Sequence, residues 1–228
     1  RKRAMYSIKR HIEAIVEQRA KNSKAIMLTG PRQVGKSTLF KHLFGTVNQV
    51  TFDDDLLLAQ AEDDMNLFLL NNPCPLMIDE IQKCPAIFNK LKITLDNTDT
   101  YGNFYLTGSQ KLQLMEGVSE SLAGRVSVVE LEGLSLREIY TVPFTKHFIP
   151  TENYLKEREG AIRNYREKLW ETIHRGSYPE LYSNTDKEWV DFYQSYVKTY
   201  LERDVNKLIK AKNHLTFVKF LTCVAART

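Results

Sequence analysis

A phosphate-binding loop is the clearest chemical pattern in the sequence. Residues 30–37 fit the motif G-x-x-x-x-G-K-[ST]. In such a loop the glycines let backbone N–H groups converge on phosphates, the lysine reaches the β- and γ-phosphates, and the serine hydroxyl is a ligand for Mg²⁺. We therefore expect a nucleoside triphosphate with Mg²⁺ to be held by Gly30, Pro31, Arg32, Gln33, Val34, Gly35, Lys36, Ser37 and Thr38.

A pair of carboxylates follows the next strongly apolar run. Residues 75–78 read as a buried strand that ends in Asp79 and Glu80, the pattern of a Walker B motif. Asp79 is expected to hold Mg²⁺ through its water shell, together with Ser37. Glu80 is expected to orient and polarise the water that attacks the γ-phosphate. Since the carboxyl ends of parallel strands meet at one edge of a sheet, the two motifs are expected to form one site.

Short β-rich runs alternate with helical patterns over the first part of the chain. The predicted strands are Ala25–Thr29, Gln49–Phe52, Leu76–Ile78, Phe104–Leu106 and Val126–Leu131. This alternation predicts an α/β fold, a five-stranded parallel sheet with helices on both faces.

The strand signal fades after the fifth strand. The spacing of Ser135 and Glu138 is that of a capping box, which begins a helix. We therefore predict two regions, a P-loop core with an N-terminal helix over residues 1–134 and a helical lid or linker over residues 135–228.

Composition narrows the class of protein. The chain has 228 residues, 43% of them hydrophobic, which is enough for a sizeable core. No apolar run approaches the length of a membrane span, so no membrane contact is expected and the cytoplasm is the expected compartment. A net charge of +4 permits contact with nucleic acid but is no strong basic footprint. The basic residues among the first 24 are interpreted as the solvated face of an amphipathic helix.

Five sequence blocks occur in an order that resembles one family. They are residues 28–39, 78–82, 106–109, 121–125 and 200–205. The chain resembles the prokaryotic AAA+-like P-loop ATPases that join an N-terminal core to a C-terminal domain of unknown function, and that are related to the archaeal STAND-like ATPases. The resemblance implies an AAA+ fold, with ATP and Mg²⁺ at the site, and it implies that this chain stops where the family's C-terminal domain begins.

The same resemblance assigns a role to the end of the fourth predicted strand. Ser109 matches the position called sensor 1, where a polar side chain hydrogen-bonds the γ-phosphate or the attacking water. Thr107 is the alternative residue for this role. Both hydroxyls also suit a turn that caps the following helix.

An arginine that neutralises charge in the transition state is a further expectation for such a site. Arg125 is the first candidate, acting either on the nucleotide of its own chain or on that of a neighbouring subunit. A structural surface arginine is an equally good interpretation of Arg125. Arg203 is the second candidate, but the acidic residues beside it favour salt bridges along a helix.

The sequence thus predicts a Mg²⁺-dependent ATPase in which Lys36, Glu80, Ser109 and Arg125 take part in catalysis. Three other functions stay open: a nucleotide-gated switch with little turnover, a small-molecule kinase, and a DNA-associated regulatory module. Glu80 directly after Asp79 favours water over another phosphate acceptor. Assembly into a homo-oligomer, a DNA or protein partner of a further C-terminal region, and selectivity for adenine are left open by these motifs.

Overall fold

A five-stranded parallel sheet is the centre of the fold. The computed structural model describes residues 8–109, 122–144, 146, 148–159, 169–184, 186–200 and 214–227. The strands are β1 (Ala25–Thr29), β2 (Asn48–Thr51), β3 (Leu76–Asp79), β4 (Phe104–Thr107) and β5 (Val126–Glu130). Their order across the sheet is β2-β3-β4-β1-β5, and every neighbouring pair is parallel. All five predicted strands are therefore confirmed, and each strand begins and ends within one residue of its predicted position.

Helices form the crossovers from β1 to β2, from β2 to β3 and from β3 to β4. Before and between the strands lie α1 (Glu13–Asn22), α2 (Lys36–Leu43), α3 (Asp55–Asp63), α4 (Met65–Asn71) and α5 (Ile87–Asp96), and a short 3₁₀ turn spans Ile81–Lys83. After β5 come α6 (Leu136–Ile139), α7 (Glu152–Glu159), α8 (Leu169–Arg175), α9 (Pro179–Ser183), α10 (Trp189–Tyr200) and α11 (His214–Ala225). The predicted capping box at the start of α6 is confirmed, because the Ser135 and Glu138 side chains each bond the other's backbone N–H.

Two apolar layers enclose the sheet. Met27 and Ile78 pack with α3, α4 and α5, whereas Ile26 and Met77 pack with α1 and α2. Neighbouring residues of a strand point to opposite faces, so burying both requires helices on both sides. The predicted helix-covered sheet is confirmed. In the described ranges no helix is both long enough and apolar enough to span a membrane.

The chain divides into two compact units. The first combines Arg1–Glu167 with Ser177–Ser183, and the second combines Lys168–Gly176 with Asn184–Thr228. The boundary between core and lid at residue 134 stays a prediction, since packing alone does not define a lid. Within the second unit the Tyr193 hydroxyl donates a hydrogen bond to the Arg175 carbonyl at 3.0 Å, which joins α10 to the end of α8.

The returning segment Ser177–Ser183 is an integral part of the first unit. Leu181 is fully buried, and Tyr178 packs against the apolar layer that contains Val34 and Leu39. The Leu134 N–H donates to the Ser177 carbonyl at 2.7 Å. The core of the first unit is thus completed by residues that lie about fifty positions beyond β5.

A close backbone approach fixes the start of the phosphate-binding loop. Gly30 has φ 135°, and a Cβ built on it would lie 2.1 Å from the carbonyl oxygen of Leu131, just beyond β5. Only glycine fits this position, both for its φ and for the space beside it.

We expect Gly30→Ala to lower the free energy of unfolding by about 3 kcal/mol, because strain at positive φ adds to the overlap with Leu131. Gly124→Ala is the matched control, since Gly124 has φ 75° with no atom within 4 Å of the added Cβ. It should cost only the strain, about 1 kcal/mol. Urea denaturation of both variants measures the difference, and equal losses would show that the approach to Leu131 is unimportant.

Candidate nucleotide-binding site

The loop between β1 and α2 has the backbone that a phosphate site requires. Gly30, Gln33 and Gly35 have φ of 135°, 62° and 93°. Positive φ at intervals along a loop turns its N–H groups toward a common concavity. Helix α2 begins directly after Gly35, so unpaired N–H groups at its first turn continue the same surface. The predicted contact residues of the loop therefore form one structural unit.

The side chains of the loop separate into anchors and exposed groups. Val34 is buried in the apolar layer below α2. Pro31 and Gln33 are exposed, whereas Arg32 and Thr38 are half-buried. This division is what a ligand-binding loop needs, with an apolar side chain holding it to the core.

Lys36 directs its ammonium group back into the loop. Its side chain is buried, and Nζ donates to the carbonyl oxygens of Gly30 at 3.0 Å and Pro31 at 2.7 Å. Burial lowers the pKa of Lys36 below its ordinary value. The carboxylates of Glu80 and Asp79 oppose this shift, and Arg32 adds to it. A phosphate oxygen is a stronger acceptor than a carbonyl, so Lys36 is placed to exchange these bonds for a ligand.

The two predicted metal ligands are in direct contact. The Ser37 hydroxyl donates to Asp79 Oδ1 at 2.6 Å. Thr107, at the end of β4, donates to the same carboxylate oxygen. Hydroxyl and carboxylate oxygens are the ligand types that Mg²⁺ accepts in proteins. The chemistry of the donor set therefore fits a Mg²⁺ ion at Ser37 and Asp79, with Thr107 orienting the carboxylate.

Glu80 lies beside the metal-ligand pair in an unusual backbone conformation. Its φ of 55° is in the left-handed region, and the 3₁₀ turn that follows brings Gln82 back alongside it. The Ser109 hydroxyl donates to Glu80 Oε2 at 3.1 Å, and Gln82 Nε2 donates to the same oxygen. Strain of this kind persists where surrounding contacts hold it, and it is common at functional sites.

Gln82 is a member of the site that was not among the predicted residues. The signal available for it was its position two residues after Glu80 in the same acidic motif, but its contact with Glu80 depends on the left-handed turn. Gln82 Nε2 also lies 3.4 Å from the Ser109 hydroxyl, so the three side chains form one cluster. Ser109 and its alternative Thr107 both reach the site, Ser109 at Glu80 and Thr107 at Asp79.

The solvated helix face predicted for the basic residues among the first 24 is wrong for Arg10. Arg10 is only 6% exposed. It precedes α1, and its guanidinium donates to the carbonyl of Val34 in the phosphate-binding loop at 2.9 Å. A single basic residue can leave a basic surface stretch for the interior when enough carbonyl and carboxylate acceptors surround it.

Arg125 lies at the amino-terminal end of the parallel strands, whereas the loop lies at their carboxyl-terminal end. It directly precedes β5, whose first residue is in register with Ala25 at the start of β1. The loop follows the other end of β1, about 16 Å away at ~3.3 Å per residue. Arg125 Nη2 donates to Asp96 at 3.1 Å. This position and the pairing with Asp96 favour the interpretation of Arg125 as a structural arginine, and a catalytic role for Arg125 stays a prediction. Arg203 lies outside the described residues.

Two family models match different parts of the chain. A family model described as an AAA domain matches residues 22–140, more than half of the chain. This range contains the loop, both acidic residues and the strand tips of the site. A second model, described as a domain of unknown function (DUF8612), matches residues 166–228. A domain of unknown function is thus matched within the region predicted as a lid or linker.

Two curated relatives match most of this chain. The uncharacterized protein Rv2008c of Mycobacterium tuberculosis is 29% identical over 184 residues, which is 80% of this chain and 36% of that protein. The uncharacterized protein MJ1544 of Methanocaldococcus jannaschii is 26% identical over 213 residues, which is 85% of this chain and 46% of that protein. The chain therefore spans less than half the length of these relatives.

A solved structure shares the fold. The Walker-type ATPase Paby2304 of Pyrococcus abyssi superposes with a TM-score of 0.52 at 13% identity, covering 90% of this chain and 75% of that one. The range matched by the AAA-domain model contains the residues that build the loop and the acidic strand end, and all five strands of the parallel sheet lie within it. The chain belongs to the AAA-domain family of P-loop ATPases and joins to that domain a domain of unknown function.

Proposed function

We propose that this protein binds ATP with Mg²⁺ and hydrolyses it to ADP and phosphate. The observation that carries the proposal is the contact of Ser37 with Asp79 at 2.6 Å, because it joins the loop to the acidic strand end. Glu80 follows Asp79 directly and places a second carboxylate beside the same site. A phosphate cradle, a metal-ligand pair and a candidate base are the components of nucleotide hydrolysis.

Ser37 and Asp79 would hold Mg²⁺, and the Thr107 hydroxyl would keep the Asp79 carboxylate in place. When bound, Mg²⁺ neutralises charge on the phosphates. Lys36 would leave the carbonyls of Gly30 and Pro31 to donate to the phosphates. These residues bind and orient the nucleotide without taking up a proton.

Glu80 is the proposed base for the attacking water. Ser109 and Gln82 both donate to its Oε2, whereas no described residue donates to Oε1. The two donors fix the rotation of the carboxylate, which leaves Oε1 as the atom to accept a proton from water. Water attack then breaks the bond between the γ-phosphorus and the oxygen of ADP. Ser109 acts through Glu80 in this scheme, which refines the sensor 1 role proposed for it.

We expect Lys36 and Glu80 to act in separable steps. Lys36→Ala should weaken ATP binding by about 100-fold, because charge-assisted bonds to phosphate are lost. Glu80→Gln should bind ATP almost normally and lose about 100-fold in turnover, because only the proton acceptor is removed. Nucleotide titration and phosphate release measure the two effects. Lys41→Ala, on the same helix as Lys36, and Glu62→Gln change exposed residues and are controls that should match the wild type.

Equal loss of ATP binding in Lys36→Ala and Glu80→Gln would contradict the division of roles.

We expect the metal to depend on Ser37 and Asp79. Ser37→Ala and Asp79→Asn should each raise the Mg²⁺ concentration for half-maximal turnover by about tenfold or more, since each loses an oxygen ligand or an outer-shell anchor. Asp63→Asn, at an exposed position of α3, is the control. Turnover that persists in excess EDTA would rule out this metal site.

We propose that Arg125 completes the site of a neighbouring subunit, since its place before β5 is about 16 Å from the loop of its own chain. Arg125→Ala should bind ATP normally and lose turnover about a thousandfold. Mixing it with Lys36→Ala should restore part of the activity, since a mixed interface pairs an intact loop with an intact arginine. Light scattering is the control that tests whether the two variants assemble in the mixture. An assembled mixture as inactive as its components would remove Arg125 from catalysis.

A further inference from the structure

Arg10 binds three separate segments around the phosphate-binding loop. Its Nη1 donates to the Val34 carbonyl at 2.9 Å. Its Nη2 donates to the carbonyls of Glu132 at 2.8 Å and Gly133 at 3.3 Å, which follow β5. Its Nε donates to the carboxylate of Glu138 at 3.1 Å. A planar guanidinium with several N–H groups in fixed directions suits such a junction, whereas an ammonium group does not.

The partner of Arg10 is equally constrained. Glu138 is 8% exposed and accepts hydrogen bonds from the N–H groups of His11 and Ser135, both at 2.8 Å. Burial alone would raise the pKa of Glu138. The bonds from Ser135 and His11, together with the charge of Arg10, outweigh burial and hold that pKa below its ordinary value of 4.5. The buried pair therefore has its charges matched and its acceptors occupied, which is the condition under which such a pair is tolerated.

The contact with Val34 acts on the loop itself. The carbonyl of Val34 and the N–H of Gly35 belong to one planar trans peptide and point in opposite directions. Holding the carbonyl therefore fixes the direction of the Gly35 N–H. Gly35, with φ 93°, offers little resistance of its own to rotation of this peptide, because glycine is permissive. An external hydrogen bond is needed to select one orientation.

We infer that Arg10 is a positioning residue of the nucleotide site, which orients the Gly35 N–H toward the bound phosphates by holding the Val34 carbonyl from behind the loop. This inference rests on the proposed binding of ATP. It assigns the N-terminal segment a part in phosphate recognition, although Arg10 itself makes no contact with the nucleotide. It also links the loop to Glu138, whose capping box begins α6.

The test compares Arg10→Gln, Arg10→Lys and the control Arg19→Gln in the full chain. Arg19 is a nearby arginine on α1 that is exposed and donates to Ser127 and Val128. Affinities are measured for ATP and for inorganic tripolyphosphate, well below the unfolding midpoint of each variant. Arg10→Gln should weaken both ligands by the same factor, about tenfold, the effect of one charge-assisted hydrogen bond. Arg10→Lys should fall between wild type and Arg10→Gln, and Arg19→Gln should match the wild type.

A purely structural role predicts a different result, a lower unfolding midpoint with unchanged affinities of the folded protein, and that result would overturn the inference. The Gly35 amide resonance in ¹⁵N-labelled protein gives a readout without ligand, and it should shift in Arg10→Lys but not in Arg19→Gln. If Arg10→Gln fails to fold, Glu138→Gln replaces it and should weaken both ligands about threefold. If the wild-type protein binds neither ATP nor tripolyphosphate, the proposed function is wrong. If the wild-type protein binds both ligands and the Arg10 variants bind them with equal affinity, only the role of Arg10 is wrong.

Discussion

Parallel pairing of β3, β4 and β1 is the constraint on which the site depends. Strand β4 lies between the other two, and each of the three ends at the same edge. Thr107 ends β4 and donates to Asp79 at the end of β3, while Ser37, reached from β1, donates to the same carboxylate. Residues far apart along the chain therefore meet because backbone hydrogen bonds align their strands.

The charges around the loop are arranged in two layers. On the ligand side Lys36 lies within the influence of Asp79 and Glu80. Behind the loop the pair of Arg10 and Glu138 is closed off from solvent. The first layer consists of groups that can exchange partners when a phosphate arrives, whereas the second has its hydrogen bonds already made within the protein. A rigid support behind an adaptable surface is the arrangement that precise phosphate binding requires.

Most of the sheet and the two central motifs could be predicted from the sequence, because apolar runs and the loop pattern are local signals. The residues missed or misplaced depend on long-range contacts. Arg10 meets Val34, which is 24 positions away, and Glu138, which is 128 positions away, only in the folded chain. Gln82 reaches Glu80 through a left-handed turn that no residue type in the motif demands. Arg125 directly precedes β5, and the five residues of that strand separate it from the strand ends where the site lies.

The return of Ser177–Ser183 to the first unit has a consequence during synthesis. Leu181 is buried in that unit, and Leu134 donates a hydrogen bond to Ser177, so a nascent chain cannot complete the unit when β5 leaves the ribosome. Some fifty further residues must emerge first, and Lys168–Gly176 of the second unit emerges among them. Domains generally fold in order from the N-terminus. Here the first unit is completed only after Lys168–Gly176 of the second unit has been made, so part of its apolar layer stays exposed to solvent until then.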